Sequence, residues 1–243
     1  MTRHAPTGVR PAKRDDLLGL ASEVAPNLLG GRLTTVVDGE TVVVRITEVE
    51  AYHGLGTGPV ADPGSHARMG PTARNATMWG EPGHLYVYLS HGIHSCVNVV
   101  CGPEGVAGGV LLRAGEVIEG TDAATRRRPA ARSARDLARG PGRFGDAVGL
   151  RHPVHDGIDA ITADPRHGAT ARLELPDGPL ADIASGPRVG VAGVAGTAVF
   201  PWRFWIPDDP TVSPFRWGRG AHEAHLERDA STGAGRRTPR MLD

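Results

Sequence analysis

Glu50 ends a strand-like run, Ile46–Val49, and Tyr52 follows two residues later. In an extended chain residues i and i+2 share a face, so a carboxylate and an aromatic ring stand on one wall. A glutamate near water and an electron-poor carbon is a general base, although a glutamate at a strand end is also commonly just solvated. A polar loop follows, with Asp62, Ser65-His66 and Arg74-Asn75. Next comes an aromatic segment, Leu85-Tyr-Val-Tyr-Leu-Ser-His91-Gly92, then Cys96-Val-Asn98, then Leu111-Leu-Arg113-Ala114. The amide of Asn98 has both donor and acceptor and suits reading the edge of a ring, or bridging buried backbone groups. Arg113 ends an apolar strand, where its charge needs a partner, with Glu50 or a phosphate as candidates. Acid, aromatic and amide groups gathered in one pocket suit chemistry on a flat, stackable ring.

The elements that must position these residues read as short strands. Leu33–Val49 is rich in Val, Thr and Ile around Asp38-Gly39, a hairpin whose second strand delivers Glu50 at or just past its end. Tyr86–Val100 reads as two strands reversing at His91-Gly92. Alternation puts Tyr86, Tyr88 and Ser90 on one face, and His91 at the tip, where a flat ring can wedge between bases or simply form an exposed turn. Val106–Ile118 is a further strand, with Gly108-Gly109 marking a bulge. Leu173–Leu175, Arg188–Val194 and Pro201–Ile206 complete the strands. A helix opens at Asp15, and residues 53–84 form a long loop of the kind that is functional or disordered. Residues 1–14 are expected as a loose arm, 15–217 as one α+β domain and 218–243 as a disordered tail. The domain is expected to be a mostly antiparallel curved sheet with flanking helices and a protruding hairpin.

Composition narrows the class. The chain has 243 residues, 40% hydrophobic, with Gly 34 and Pro 20, which favours a loop-rich β fold over a helix bundle. Formal net charge is +0, yet the charge is unevenly spread. Arg126, Arg127, Arg128, Arg132, Arg135, Arg139 and Arg143 cluster against a single acid, Asp136. Ala131–Arg139 reads as a helix stopped by Gly140-Pro141-Gly142, which places Arg132, Arg135 and Arg139 on one face. A helix starting near Arg143 would offer backbone N–H groups from Gly140 and Gly142 to a phosphate. Cys96 and Cys101 are too few for a disulfide framework. No leader-like start or membrane-length apolar run is evident, so an intracellular, soluble protein is expected. Lys13 is the only lysine, which leaves little for Schiff-base chemistry.

Taken together, Glu50-Ala-Tyr52, Ser65-His66, Arg74-Asn75, Leu85-Tyr-Val-Tyr88, Gly92, Cys96-Val-Asn98 and Leu111-Leu-Arg113-Ala114 resemble the alkyladenine (3-methylpurine) DNA glycosylase family. The likeness continues through Gly140-Pro-Gly142, Arg188-Val-Gly-Val191 and Arg203-Phe204, and covers roughly residues 15–215. The resemblance implies hydrolytic release of damaged purines from double-stranded DNA by a monomer without cofactor, metal or membrane partner. It places the general base on Glu50 and base stacking on Tyr52, His66 and Tyr88. The selectivity amide falls on Asn98, the arginine near the water on Arg113 and the intercalating residue on His91. Vertebrate members carry tyrosine at that last position, so this chain departs there. Three other readings stay open: a metal hydrolase using His84, His91, His94, Cys96 and Cys101, a non-catalytic nucleic-acid module stacking on Tyr86 and Tyr88, and the same fold specialised for bulky adducts.

Overall fold

The computed structural model describes residues 8–55 and 60–233. Its strands are β1 (Val9–Pro11), β2 (Arg32–Val37), β3 (Glu40–His53), β4 (His84–Ser90), β5 (His94–Val100), β6 (Gly108–Glu119), β7 (Ala138–Arg139), β8 (Ile158–Asp159), β9 (Ala169–Pro176), β10 (Ala184–Gly186) and β11 (Arg203–Trp205). Four α-helices accompany them: α1 (Ala21–Leu28), α2 (Thr121–Arg127), α3 (Pro141–Val148) and α4 (Ala221–Gly233). The sheet runs β1-β9-β2-β3-β6-β5-β4-β8, with β11 and β7 attached to β3 and β6. Every strand pair is antiparallel. The sheet curls, and Leu173 N–H donates to Ala160 O at 2.8 Å, joining β9 to the end of β8. This is the α+β architecture expected from the strand pattern.

The β2–β3 turn follows from its residues. Asp38 and Gly39 take φ of 53° and 78°, the left-handed pair that matches the twist of a two-residue hairpin. Beyond it, β3 changes which residues face the core. Val42, Val44 and Ile46 point into the apolar core, and after the bulge so do Val49 and Ala51. The pairing of β3 with β6 shifts between Ile46 and Glu48 and again between Glu48 and Val49. A one-residue slip reverses the faces of everything downstream. Glu48, Glu50 and Tyr52 are thereby turned away from the core that α1, α2 and α3 cover. Glu50 lies inside the long strand, paired with Leu111 on one side and Arg203 on the other, rather than at its end. Gly108 and Gly109 pair regularly with His53 and Tyr52, so the expected bulge there is absent and the irregularity sits further along.

Five other expectations need correcting. Residues 9–11 are not a loose arm but pair with β9, while residues 1–7 lie outside the described residues. The first helix is split: Asp16 caps a 3-10 turn over Arg14–Leu17 by accepting Lys13 N–H at 2.8 Å, and Glu23 starts α1 by accepting Leu20 N–H at 3.0 Å. The helix expected over Ala131–Arg139 is reduced to a 3-10 turn at Ala134–Asp136. The helical stretch comes earlier, as α2, and ends just before Pro129, while Ala138–Arg139 bond to β6 as β7. Arg132, Arg135 and Arg139 therefore do not share a helix face. Arg188–Val194 is a loop rather than a strand, and the tail expected to be disordered from 218 forms α4 up to Gly233. Residues 234–243 of that tail lie outside the described residues.

Candidate active site

A cavity of about 680 Å³ opens between the end of β3, the β4–β5 hairpin, the 62–78 loop and the loop after Arg188. Tyr52, His66, Tyr88, His91, Asn98 and Arg113 all line it, so the structure gathers residues scattered across 62 positions of sequence. Glu50 stands behind that lining and is fully buried. Its Oε1 accepts Val189 N–H at 2.6 Å and its Oε2 accepts the Tyr52 hydroxyl at 2.8 Å. Arg113 Nη1 lies 3.2 Å from Oε2.

Arg113 joins two carboxylates. Its Nε donates to Glu48 Oε1 at 3.1 Å and its Nη2 to Ser213 Oγ at 3.2 Å. Arg203 Nε also donates to Glu48 Oε1, at 2.7 Å, and Ser213 N–H donates to Glu48 Oε2 at 2.8 Å. Two buried carboxylates thus face two buried guanidinium groups, and the formal charges cancel. Burial alone would lower the pKa of Arg113, but Glu50 and Glu48 raise it above its ordinary value. Removal from water raises Tyr52 well above an ordinary phenol, and the charge of Glu50 adds to the effect. Tyr52 therefore keeps its proton and acts as a donor to Glu50.

Opposite this wall stands an aromatic corner. His66 and Tyr88 meet edge to face with centroids 4.5 Å apart, and Tyr86 stacks on Tyr88 at 5.5 Å. Alternation along β4 presents Tyr86 and Tyr88 together, as the sequence pattern implies. Burial pushes the Tyr86 hydroxyl up to about 12. His66 opens onto the cavity but is hemmed in by it; partial loss of water, with Arg74 and Arg68 nearby, lowers its pKa and favours the neutral ring. Asn98 Nδ2 donates to Tyr86 O at 3.1 Å across the β4–β5 pair, which fixes the amide where it borders the cavity. His91 sits at the exposed tip with φ of 50°, followed by Gly92 at 70°. Its Nδ1 lies 3.0 Å from Ser90 Oγ.

Sequence reasoning missed the support behind Tyr52. Arg188, fully buried, places its guanidinium 4.5 Å from the Tyr52 ring centre and 5.1 Å from that of Trp202. It donates to both oxygens of Asp62 at 2.8 Å, and to Ala51 O at 3.1 Å. Asp62 in turn accepts His53 N–H at 3.0 Å and Gly64 N–H at 2.9 Å, tying the loop that carries His66 to the end of β3. Glu48 was legible as the i−2 neighbour of Glu50. The Arg188–Asp62 pair, far apart in sequence, left no local signal.

The arginine segment is mixed. Arg132, Arg135 and Arg143 are exposed, whereas Arg139 Nε donates to Val212 O at 2.9 Å. Gly140 caps α3 with φ of 121°, and Gly142 has room for no side chain: a Cβ there would lie 2.7 Å from His94 Cβ. The start of α3 thus packs against the hairpin beside its turn, with Pro141 on the cavity wall. The histidines and cysteines of the metal-hydrolase reading do not converge. Among the described residues no group of three or more His, Cys, Asp or Glu is placed to hold a metal ion.

Comparison with known proteins matches this framework. The sequence model of methylpurine-DNA glycosylase (MPG) matches residues 17–210. The chain belongs to the methylpurine-DNA glycosylase family. Among its relatives, a protein of Nocardia farcinica is 53% identical over 193 residues, covering 79% of this chain and 85% of its own length. One from Streptomyces avermitilis is 47% identical over 206 residues, covering 85% and 92%. Both carry the name "Putative 3-methyladenine DNA glycosylase". The family match spans β2 to β11 and every residue that lines the cavity.

Proposed function

We propose that this protein is a monofunctional DNA glycosylase that removes alkylated purines, 3-methyladenine above all, from double-stranded DNA. The observation that carries the reading is Glu50. It is a fully buried carboxylate held by Tyr52, Arg113 and Val189 at the back of a cavity walled by aromatic rings. A base inside a duplex cannot reach such a pocket, so the nucleotide rotates out, at a cost of a few kcal/mol of stacking and pairing. His91 fills the gap from the hairpin tip. The flipped base stacks among Tyr52, His66 and Tyr88, where a cationic ring gains cation–π attraction and a neutral His66 adds no repulsion. The Asn98 amide borders the base edge and disfavours an exocyclic amino group on a normal guanine.

In the chemical step the bond between the sugar C1′ and the purine nitrogen breaks and its electrons leave with the base. Positive charge develops on the sugar, as in other glycoside hydrolyses, and the Glu50 carboxylate stabilises it. Oε2 accepts the Tyr52 hydroxyl and pairs with the Arg113 guanidinium, while Oε1 takes Val189 N–H and keeps a lone pair for water. That water adds to C1′ and gives its proton to Glu50, leaving an abasic site and free base. Arg113, fixed between Glu48 and Glu50, keeps the carboxylate aimed at the water. Exposed Arg132, Arg135 and Arg143, with the N-terminus of α3 from Gly140 and Gly142, face the phosphates, and Arg139 contributes less because its guanidinium is engaged. Lys13, the only lysine side chain, is exposed and lies outside the cavity lining, so no lyase step follows. Borohydride trapping should give no covalent adduct with abasic DNA, and a trapped adduct refutes this part.

Among the described residues no helix is long and apolar enough to cross a membrane. The reading is tested by single-turnover release from duplexes that carry one 3-methyladenine, 7-methylguanine, hypoxanthine or ethenoadenine, without added metal. Release by the native protein that Glu50→Gln abolishes supports it. Tight binding with no release from any lesion favours recognition without catalysis.

A further inference from the structure

We propose that the segment from Phe215 to Ala221 is a strap that positions the catalytic wall, an inference that rests on the glycosylase reading of the cavity. The segment falls beyond residues 17–210, which the family model matches. It lies on the 189–193 loop, whose first residue gives Glu50 its N–H donor and whose Val189 to Ala192 line the cavity. The contact is backbone to backbone. Arg216 O accepts Gly190 N–H and Arg219 O accepts Gly193 N–H, both at 2.9 Å. These bonds satisfy two loop donors that no sheet or helix pairs, and so fix the loop's position against β3.

Between the two bonds the chains approach too closely for a side chain. A Cβ on Gly218 would lie 2.1 Å from Val191 O, so only glycine permits the contact. Gly196 is held to glycine by the same carbonyl, Val191 O, 2.0 Å from its Cβ position, and that position lies 3.2 Å from the Ala221 methyl. The strap is anchored at both ends. Upstream, Ser213 bonds to Glu48 and Arg113. In the strap itself the Trp217 ring packs on Phe215 at 4.8 Å and beside His222 and His225 of α4 at 5.5 and 5.1 Å. Trp217 and Gly218 do not themselves line the cavity; Gly218 packs behind the lining, on the backbone of Gly190 and Val191. Their effect passes through the loop to the Val189 N–H, so they are positioning residues. A displacement of about 1 Å at a reacting group costs on the order of 100-fold in rate.

The test uses full-length protein with Gly218→Val, Trp217→Ala and Trp217→Phe beside native protein and Glu50→Gln. Hydrogen exchange of the 188–194 peptide, single-turnover release of 3-methyladenine and affinity for the lesion duplex are measured on each. The strap predicts exchange at 188–194 at least about ten-fold faster in Gly218→Val and Trp217→Ala, with the central strands unchanged. Release slows by about 10- to 100-fold, affinity changes by less than about three-fold, and Trp217→Phe restores the rate. Should Gly218→Val fail to fold, the two Trp217 variants decide. Faster loop exchange with a release rate within about two-fold of native overturns the proposal, as does unchanged exchange. Native protein that releases no base sinks the glycosylase reading instead, and loop exchange then reports on the strap alone.

Discussion

The back wall of the cavity and the tip of the β4–β5 hairpin border the same cavity but are built on opposite principles. At the wall, Glu48 and Glu50 are fully buried, and Arg113 and Arg203 are 6% and 5% exposed. Each of these groups has at least two fixed partners within this cluster and the segments beside it. At the tip, His91 to His94 are exposed, and His91 is steadied by its neighbour Ser90 through a single contact. Burying four charges is costly, and the cost is offset only when geometry is fixed and every lone pair is used. Such a wall is preorganised for charge that develops in a transition state. The tip has no such constraint, and its shape is completed by what it meets. The wall is held in place by the fold, whereas the tip stands exposed beyond it.

The largest effect that can break this comparison is at Glu50. Glu50→Gln keeps the shape and an oxygen acceptor but removes the charge and the proton acceptor. Single-turnover release should fall by about 10²- to 10⁴-fold while affinity for the lesion duplex is retained. Activity within ten-fold of native would show that the wall is scaffold and that the chemistry lies elsewhere.

Next is stability. Arg113→Met removes the cation between Glu48 and Glu50, leaving Glu48 with Arg203 and the buried Glu50 carboxylate without an ion-pair partner. Loss of one partner of a buried pair costs about 3–5 kcal/mol, which urea unfolding at neutral pH reads directly. His91→Ala, at the exposed tip, should stay within about 0.5 kcal/mol of native in the same experiment. Equal losses at both positions would erase the distinction between the two regions.

A third experiment sharpens the tip's side of it. His91→Ala should weaken release from a lesion duplex by about ten-fold while leaving release from a lesion in single-stranded DNA unchanged, because only a duplex has a gap to fill. His91→Tyr, with more stacking area, should raise duplex release above the native rate. If both variants match native protein on the duplex, the tip is not a wedge.

How far these regions were legible differs for a physical reason. The hairpin was readable because period-2 alternation and a His-Gly turn are local: Tyr86, Tyr88 and Ser90 do share the cavity face, and the reversal falls at His91-Gly92. Glu50 and Tyr52 were legible as an i, i+2 pair. What turns them towards the cavity was not, because the two register shifts around Glu48 depend on how β6 pairs, not on β3 itself. The Asp62–Arg188 bond joins residues 126 apart, and nothing local marks it. The arginine segment misled because helix propensity over Ala131–Arg139 competed with pairing to Ala114 and Gly115, and the pairing won. The tail read as polar and Gly-rich, yet its Arg219 carbonyl bonds Gly193 of the 189–193 loop, a role that composition does not register.

The smallest expected effect extends the comparison to the arginines. Those near the wall are consumed by carboxylates, and among the surface ones some are consumed by carbonyls. Arg128 Nε donates to Leu137 O at 3.3 Å and its Nη1 lies 3.7 Å from Asp146, while Arg139 is bound to Val212 O. Arg132 and Arg135 are exposed and so are better placed to meet phosphate. Each phosphate contact removed should make the dependence of log affinity on log salt shallower by about 0.9. Fluorescence anisotropy across a salt series therefore separates the two groups. Arg135→Ala and Arg132→Ala should each flatten the slope by about one contact and weaken binding equally for lesion and undamaged duplex, since phosphate carries no base identity. Arg128→Ala should leave the slope unchanged. A flattened slope for Arg128→Ala and none for Arg135→Ala would place the DNA on another face.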